Sequence, residues 1–252
     1  MSSESVIENE IDSIKCERVF VIGDIHGCVY EVSNLIKHLE EVENLSNNDL
    51  LVFLGDYVDR GPNSKGVIDL MLEVQKKFPE TRFLKGNHED MMLDFLGLGG
   101  RLGDGFLYNG GVETIQSYGI SVFATPEEMM TAIPNEHLEF LKNLESMVII
   151  DDFVCVHAGL NPFRDIESQN DGDLFWIREE FLDNVHPFKK TVVFGHTPHQ
   201  DIFMHLPYKI GIDTGLVFGN KLSCLELSTG CIFQIPKGSD QVTKINIEVP
   251  AE

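Results

Sequence analysis

The chain has 252 residues, and its hydrophobic fraction of 42% and charged fraction of 24% are ordinary for a soluble globular protein. No apolar run approaches the ~20 residues that cross a bilayer, and the acidic start MSSESVIENEIDSIK lacks the basic and apolar regions of a secretory signal, so we expect a cytoplasmic protein. The net charge of −22 repels nucleic acid and anionic membranes, which excludes both as expected partners.

Short apolar runs alternate with amphipathic stretches over the first ninety residues. The runs Arg18–Ile22, Leu50–Leu54 and Arg82–Lys85 predict buried strands, and each is followed at once by a Gly-Asp or Gly-Asn pair. Between them, apolar residues at helical spacing predict helices over Val29–Glu40 and Ser64–Lys77. This β-α-β-α-β order predicts parallel strands, because a strand that runs parallel to its predecessor needs a crossover connection.

The middle of the chain, residues 91–145, predicts a mostly helical cover over the edge of the sheet. Its glycine-rich segment Gly97–Gly111 predicts a loop. The segment Met129–Leu144 contains helical pieces that Pro134 interrupts.

The remainder is rich in predicted strands. Two apolar runs joined by Asp151–Asp152 predict a hairpin of Met147–Ile150 and Val154–Val156. Further strands are predicted at Thr191–Phe194, Ile202–Met204, Lys209–Ile212, Leu222–Leu227 and Cys231–Ile235. We expect residues 17–236 to form a single domain, residues 1–16 to be a mobile tail, and residues 237–252 to be an edge or tail.

Polar clusters follow five of the predicted strands. They read GDIHG (23–27), GDYVDRG (55–61), GNHE (86–89), HAG (157–159) and GHT (195–197). In α/β sheets the ligand site lies beyond the carboxyl ends of the strands, so motifs that end different strands can converge on one point.

Six residues of these clusters form a candidate metal site: Asp24, His26, Asp56, Asn87, His157 and His196. Nitrogen and oxygen donors without a thiolate suit Mn, Fe or Zn in a hydrolytic site. Six ligands are too many for one catalytic ion that keeps an open position. They suit two divalent ions about 3.5–4 Å apart, with a water between them. We therefore expect two divalent cations, with Mn²⁺ preferred and Fe or Zn as alternatives, and Asp56 can bridge them.

The other polar residues of the motifs supply the remaining roles. His88 can protonate the leaving oxygen as a general acid, and Asp59 can orient its imidazole. Arg60 and Arg178 can bind phosphate oxygens in a bidentate manner. Two divalent ions and two arginines bring about +6 against about −3 from three aspartates, so the site stays positive in an acidic protein.

Three residues keep an alternative interpretation at this stage. Arg178 either binds phosphate or pairs with Glu180 on a helix that follows Trp176. Asp213 and Thr214 either line the site or merely form a turn.

The five motifs, in this order, resemble the phosphoprotein phosphatase (PPP) family within the calcineurin-like metallophosphoesterases. The segments WIREEF, VFGHTP and IDTG are similar to its bacterial and phage serine/threonine protein phosphatases, with the symmetrical diadenosine tetraphosphatases close by. The resemblance runs from Arg18 to Leu227. It implies an α/β (α+β) fold, a β-sandwich of two mixed sheets flanked by helices. It also implies a dinuclear metal centre and hydrolysis of phosphate esters by direct attack of a metal-bridging water or hydroxide.

The same resemblance implies a division of the ligands between two ions. One ion is held by Asp24, His26 and Asp56, and the other by Asp56, Asn87, His157 and His196. It also implies that His88 is the acid, that Asp59 orients it, and that Arg60 and Arg178 bind the phosphate. Two features depart from the eukaryotic branch: HAG replaces HGG, and Gly211–Phe218 stands where that branch carries a loop with a functional tyrosine. We therefore do not expect regulation of the eukaryotic type.

The motifs predict a phosphomonoesterase, with phosphoserine and phosphothreonine proteins as the leading substrates. The alternative substrate is a small phosphorylated molecule, such as a dinucleoside tetraphosphate or another nucleotide. The motifs serve both, because they contact only phosphate and metal, and they say nothing of oligomeric state. A catalytically dead binding module would have lost a ligand or the acid, and all ten expected residues are present.

Overall fold

The computed structural model describes residues 16–247, and within them eleven strands form two mixed β-sheets. The expected N-terminal tail lies outside the described residues except for its last residue, Cys16, and so do the last five residues of the chain. The strands are β1 (Val19–Ile22), β2 (Leu50–Phe53), β3 (Arg82–Phe83), β4 (Met147–Ile150), β5 (Phe153–Val156), β6 (Thr191–Phe194), β7 (Phe203–His205), β8 (Lys209–Gly211), β9 (Lys221–Glu226), β10 (Cys231–Pro236) and β11 (Thr243–Asn246).

Eight α-helices occur in the same described part of the chain. They are α1 (Val29–Glu41), α2 (Ser64–Lys77), α3 (Asn87–Phe95), α4 (Gly111–Ser117), α5 (Pro126–Ala132), α6 (Asn135–Lys142), α7 (Asp171–Trp176) and α8 (Glu179–Leu182). None of the described helices is long and apolar enough to span a membrane.

The first sheet has the order β11-β10-β9-β1-β2-β3, and the second has the order β4-β5-β6-β8-β7. Strands β1, β2 and β3 are parallel, as the β-α-β-α-β pattern predicts. Strands β4 and β5 form the predicted antiparallel hairpin, and β5, β6 and β8 run parallel. The predicted fold class, two mixed sheets flanked by helices, is confirmed.

Alternation along β1 shows how the layers are assembled. Val19 and Val21 pack into a core shared by the two sheets, together with residues such as Val193 of β6. Phe20 and Ile22 point the other way, into a larger core formed with the helices α1 to α6. A third core packs the outer face of the second sheet against α7 and α8. The period-2 pattern of a strand thus assigns neighbouring residues to opposite layers.

Two elements differ from the sequence prediction. Strand β3 ends at Phe83 rather than Lys85, because Lys85 donates its backbone N–H to the Glu145 carbonyl at 2.8 Å. Helix α3 begins at Asn87, inside the GNHE motif, where the sequence analysis predicted no helix. In the C-terminal segment, which was expected to be an edge or tail, β11 pairs antiparallel with β10 and forms the edge of the first sheet.

Candidate metal centre

Asp56 lies at the centre of the site, in the turn that follows β2. Its Oδ2 atom is 3.3 Å from Nε2 of His26, and its Oδ1 atom is 3.5 Å from Nε2 of His157. Burial opposes the charge of this carboxylate, but the surrounding histidines outweigh burial and hold the pKa of Asp56 well below its usual range. One carboxylate therefore faces a different histidine with each of its oxygens.

Two groups of possible ligands share Asp56. The first contains His26, Asp56 and His88, and the second contains Asp56, His157 and His196; in each group the ligand atoms lie within 4.8 Å of one another. The second group matches the expected set. In the first group, His88 takes the place where Asp24 was expected.

The second group is completed by Asn87, the first residue of α3. Its Oδ1 atom is 3.1 Å from Nε2 of His157 and 2.9 Å from Nδ1 of His196. The other ring nitrogen of His157 is 2.9 Å from the Leu54 carbonyl. A backbone carbonyl at one ring nitrogen fixes the tautomer and aims the other nitrogen, as is usual for metal-binding histidines.

The opposite side is formed by the GDIHG turn after β1. Nδ1 of His26 is 2.8 Å from the Val58 carbonyl, which leaves Nε2 facing Asp56. Asp24 accepts the backbone N–H of His196 at Oδ2 (3.0 Å) and so connects the first motif to the last. A side chain on Gly195 would collide with this carboxylate, which explains the glycine before His196.

Unpaired polar atoms test whether this site fits metal ions. Among the described residues, Oδ1 of Asp24, Nε2 of His88 and Nε2 of His196 are buried without a hydrogen-bond partner. Buried polar atoms normally have partners, so three orphans in one cluster of nitrogen and oxygen donors fit divalent cations. Burial, together with the charges of Asp213 and Asp56, raises the pKa of Asp24 well above its usual value, and a bound cation would offset that effect.

The backbone of the site is strained. Five of the ten predicted site residues adopt left-handed conformations with positive φ: His26 (45°), Asp56 (53°), Asp59 (70°), Arg60 (66°) and His196 (63°). Residues other than glycine avoid this region, and such strain persists where the surrounding structure enforces it, typically at functional sites.

Glu89 is one residue that enforces it, and the sequence interpretation gave it no role. Its buried carboxylate accepts the backbone N–H groups of Gly86, Asp56, Tyr57 and Val58. Burial and the charge of Asp56 raise the pKa of Glu89 to about 8, against the effect of these N–H groups. The sequence signal is only half of a capping box, because Glu89 stands at the third position of the helix but Gly86, the N-cap residue, has no side chain to complete the pattern.

His88 and Asp59 form a buried pair beside the candidate metal ligands. Nδ1 of His88 is 2.7 Å from Oδ2 of Asp59. Burial lowers the pKa of His88 to about 3 and raises that of Asp59 well above its usual value. Both shifts favour uncharged partners, and a neutral imidazole with a protonated carboxyl carries as many protons as the ion pair does.

Thr114 of α4 holds the other oxygen of Asp59. Its hydroxyl donates to Oδ1 of Asp59 at 2.6 Å and accepts the backbone N–H of Asp59 at 2.8 Å. The sequence interpretation missed Thr114, because it lies 55 residues from Asp59 in a segment expected to be cover, and no motif marks it.

The two arginines lie at the rim. Nη1 of Arg60 is 2.9 Å from Nε2 of His26, and Nη1 of Arg178 is 3.4 Å from Oγ1 of Thr197, the residue after His196. Arg178 precedes α8, where the sequence interpretation placed it on a helix. No ion pair joins Arg178 to Glu180 among the residues that the structure describes.

Asp213 and Thr214 turn out to differ in their surroundings. Asp213 is buried near the site, where its charge raises the pKa of Asp24, and its Oδ1 accepts the backbone N–H of Gly215 at 2.9 Å. Thr214 donates its hydroxyl to the Lys221 carbonyl at 2.7 Å, as part of the turn that leads into β9.

Comparison with known proteins adds to this geometry. The family model of the calcineurin-like phosphoesterases matches residues 17–223. The asymmetrical bis(5'-nucleosyl)-tetraphosphatase PrpE of Anoxybacillus flavithermus is 29% identical over 227 residues, which is 81% of this chain and 88% of the relative. The protein of the same name from Oceanobacillus iheyensis is 28% identical, with 82% and 87% covered.

Solved structures share the fold. The crystal structure of a protein assigned as a diadenosine tetraphosphatase superposes with a TM-score of 0.65 at 24% identity, over 87% of this chain and 93% of that one. A serine/threonine protein phosphatase from Saccharomyces cerevisiae superposes with a TM-score of 0.55 at 14% identity, over 95% and 83%.

Proposed function

The chain belongs to the calcineurin-like phosphoesterase family and is a metallophosphoesterase, and we propose that it hydrolyses dinucleoside polyphosphates with two divalent cations. One observation carries the two-cation part of the proposal. Asp56 directs one oxygen to His26 and the other to His157, which is the arrangement that a bridging carboxylate requires.

The residues that would hold the cations follow from this geometry. Asp24, His26 and Asp56 would hold one, and Asp56, Asn87, His157 and His196 would hold the other. When bound, the two ions supply a water of lowered pKa and positive charge for the phosphoryl oxygens. The donor set of nitrogen and oxygen atoms without a thiolate suits Mn²⁺, Fe or Zn, and we propose Mn²⁺.

The His88–Asp59 pair would supply the proton for the leaving group. With Asp59 protonated and bonded to Nδ1, the neutral imidazole carries its own proton on Nε2, the atom without a hydrogen-bond partner. His88 then gives the Nε2 proton to the leaving oxygen while Nδ1 accepts the proton of Asp59. This relay never needs an isolated buried imidazolium, which accounts for the low pKa of a histidine proposed as an acid.

Arg60 and Arg178 would bind the phosphoryl oxygens. The two guanidinium groups come from different motifs. Arg60 contacts the proposed ligand His26, and Arg178 contacts Thr197, the residue after the proposed ligand His196. Guanidinium groups match the geometry of phosphate oxygens and keep their charge at all relevant pH values. They make the local charge positive in a chain whose net charge is −22.

The substrate proposal is supported by the relatives. The two curated relatives described above carry the name of asymmetrical bis(5'-nucleosyl)-tetraphosphatases and align over more than four fifths of this chain. A serine/threonine protein phosphatase is the second candidate, favoured by the segments WIREEF and VFGHTP. Both candidates would use the same metal ligands, because these contact only the phosphate.

A side-by-side assay separates the candidates. Protein loaded with Mn²⁺ is given diadenosine tetraphosphate, phosphoserine and phosphothreonine peptides, and p-nitrophenyl phosphate, with Asp56→Asn as the control. We expect the highest kcat/KM for the dinucleotide and AMP plus ATP as products; two molecules of ADP would indicate symmetrical cleavage. A higher kcat/KM for a phosphopeptide would favour the protein phosphatase, and turnover of none of them would contradict both candidates.

A further inference from the structure

An exposed aromatic ring lies against one of the phosphate-binding arginines. Phe218 ends the short 3-10 helix Leu216–Phe218, the residue is 65% exposed, and its ring centroid is 5.5 Å from Cζ of Arg60. An aromatic ring offers a flat apolar face, and here that face lies beside a guanidinium proposed to bind phosphate. The guanidinium stacks over part of this ring, and most of the remainder is open.

The turn that carries Phe218 is well anchored. Gly215 and Gly219 flank it in left-handed conformations with φ of 67° and 94°, and both positions suit glycine. Leu216 is buried in the main core, and Gly219 donates its backbone N–H to the Leu216 carbonyl at 3.0 Å. The fold therefore buries one apolar side chain of this turn and presents another outward.

The same turn belongs to the metal site. Asp213 lies five residues before Phe218, and the charge of its buried carboxylate raises the pKa of Asp24. On the other side, Arg60 contacts both the ring of Phe218 and Nε2 of His26. A continuous path thus leads from the metal ligands through the phosphate-binding guanidinium to the exposed ring.

We propose that Phe218 is the stacking platform for a nucleobase of the substrate, whose phosphates bind at Arg60; this assignment rests on the proposed function. Every base has a flat π-face, so an aromatic side chain binds bases by stacking and without a code of hydrogen bonds. A phosphoserine or phosphothreonine side chain has no flat group and gains nothing from the ring. Phe218 would therefore select nucleotides over aliphatic phosphate esters.

Binding of two matched ligands tests the assignment without relying on turnover. AMP and ribose 5-phosphate differ only in the base, and their dissociation constants are measured by calorimetry on Mn²⁺-loaded protein. Phe218→Leu should weaken AMP about tenfold and change ribose 5-phosphate by less than about twofold, because stacking acts on the base alone. Phe218→Trp should retain AMP affinity. The control Phe123→Leu removes another exposed aromatic ring, 93% exposed in the turn before α5, and should change neither ligand.

Two results would contradict the assignment of Phe218. Equal weakening of both ligands by Phe218→Leu would mean that the ring only supports Arg60, and unchanged binding of both would remove the ring from the ligand path. Because Phe218 is exposed, an unchanged melting temperature is expected and is checked for each variant.

Kinetics then separate this assignment from the proposed function. Phe218→Leu should raise the KM for diadenosine tetraphosphate and leave the KM for inorganic tripolyphosphate within about twofold. If the wild-type protein binds AMP through its base but does not cleave the dinucleotide, the proposed function fails and the role of Phe218 stands. If the variant cleaves the dinucleotide with an unchanged KM, the role of Phe218 fails and the proposed function stands. A phosphotyrosine peptide whose KM rises more than that of the dinucleotide would overturn the nucleobase assignment.

Discussion

Two buried histidines, each bonded to an aspartate, occupy very different regions of this molecule. His137 of α6 has both ring nitrogens satisfied, Nδ1 by the Tyr118 hydroxyl at 2.8 Å and Nε2 by Oδ1 of Asp69 at 3.0 Å. His88 has one partner, Asp59, and its Nε2 atom has none among the described residues. Burial lowers the pKa of both imidazoles. What separates them is the free nitrogen, which a proton transfer needs and a purely structural network does not.

The backbone around the two histidines also differs, because it is strained near His88 and regular near His137. His137 joins α6 to α2 and to the end of α4, where the chain is regular. His88 is surrounded by turns in which five site residues have positive φ. The helical region is satisfied and relaxed, whereas the strand ends hold strain and unpaired polar atoms. Substitutions near His88 should therefore change metal binding and activity, and substitutions near His137 should leave both unchanged.

Asp56→Asn should have the largest effect. An amide has one oxygen acceptor in place of a carboxylate that faces both groups of ligands, so both metals should weaken together. We expect metal content to fall and activity to drop by more than about 100-fold. Loss of a residue that only hydrogen-bonds to a ligand usually lowers activity by less than this. Elemental analysis after dialysis measures the metal.

Asp69→Asn is the matched control, since it alters the carboxylate that partners His137. It should keep full metal content. Full metal content in Asp56→Asn would argue against a bridging role for Asp56.

His88→Asn should lower kcat by about 10²- to 10⁴-fold while metal content changes little, because it removes the proton donor. The loss should be larger for an alkyl phosphate than for p-nitrophenyl phosphate, whose leaving group needs no proton. His137→Asn, the matched control, should leave kcat nearly unchanged. A loss of metal that parallels the loss of activity would make His88 a ligand, as its place in the first ligand group allows.

Thr114→Val should act on the same proton transfer more weakly. The variant keeps the shape of the side chain but leaves Oδ1 and the backbone N–H of Asp59 without the hydroxyl. We expect kcat to fall roughly 10- to 100-fold, the range seen for partners that orient a functional residue, and again more for alkyl than for aryl phosphates. Thr131→Val, an exposed threonine of α5, is the control. An equal loss with both kinds of ester would indicate a general disturbance of the site and not of the acid.

His137→Gln should affect stability and leave the chemistry intact. Breaking a buried hydrogen-bond pair leaves Tyr118 or Asp69 unsatisfied, which costs about 1–3 kcal/mol in the free energy of unfolding. Urea denaturation measures this loss. The value of kcat should remain within about twofold of the wild type, because a substitution away from the candidate site seldom couples to it. A large fall in kcat at unchanged stability would place His137 in the reaction.

The pH dependence of stability gives the smallest effect. Burial lowers the pKa of His137 below its usual 6.5, so the unfolded chain binds a proton below that pH before the folded chain does. The contribution of His137 is therefore present above pH 6.5 and is lost as the pH falls through the folded pKa. Glutamine does not titrate, so the stability difference between the wild type and His137→Gln should narrow below pH 6.5. A difference that widens there would reverse the sign of the shift.

The fold and the clustering of the candidate ligands could be predicted because their signals are local. Each motif places its polar residues directly after an apolar strand, and glycines such as Gly195 allow the close approach that the turn needs. Asp56, which was expected to bridge two ions, lies between two histidine groups in the structure.

The roles proposed for Thr114 and Phe218 could not be predicted, because they depend on which distant segments meet. Thr114 is an ordinary residue of an amphipathic helix until α4 packs beside Asp59. Phe218 is an apolar residue in a turn, and only the structure shows that it faces outward against Arg60. The start of α3 inside GNHE was missed for a similar reason, since Glu89 caps that helix while it binds the turn around Asp56.

The two-cation site built around Asp56 is tested most directly by anomalous diffraction at the manganese edge from crystals soaked in Mn²⁺. We predict two peaks about 3.5–4 Å apart with Asp56 between them, one beside His26 and the other beside His157 and His196. A single peak, or peaks that do not share Asp56, would contradict the account.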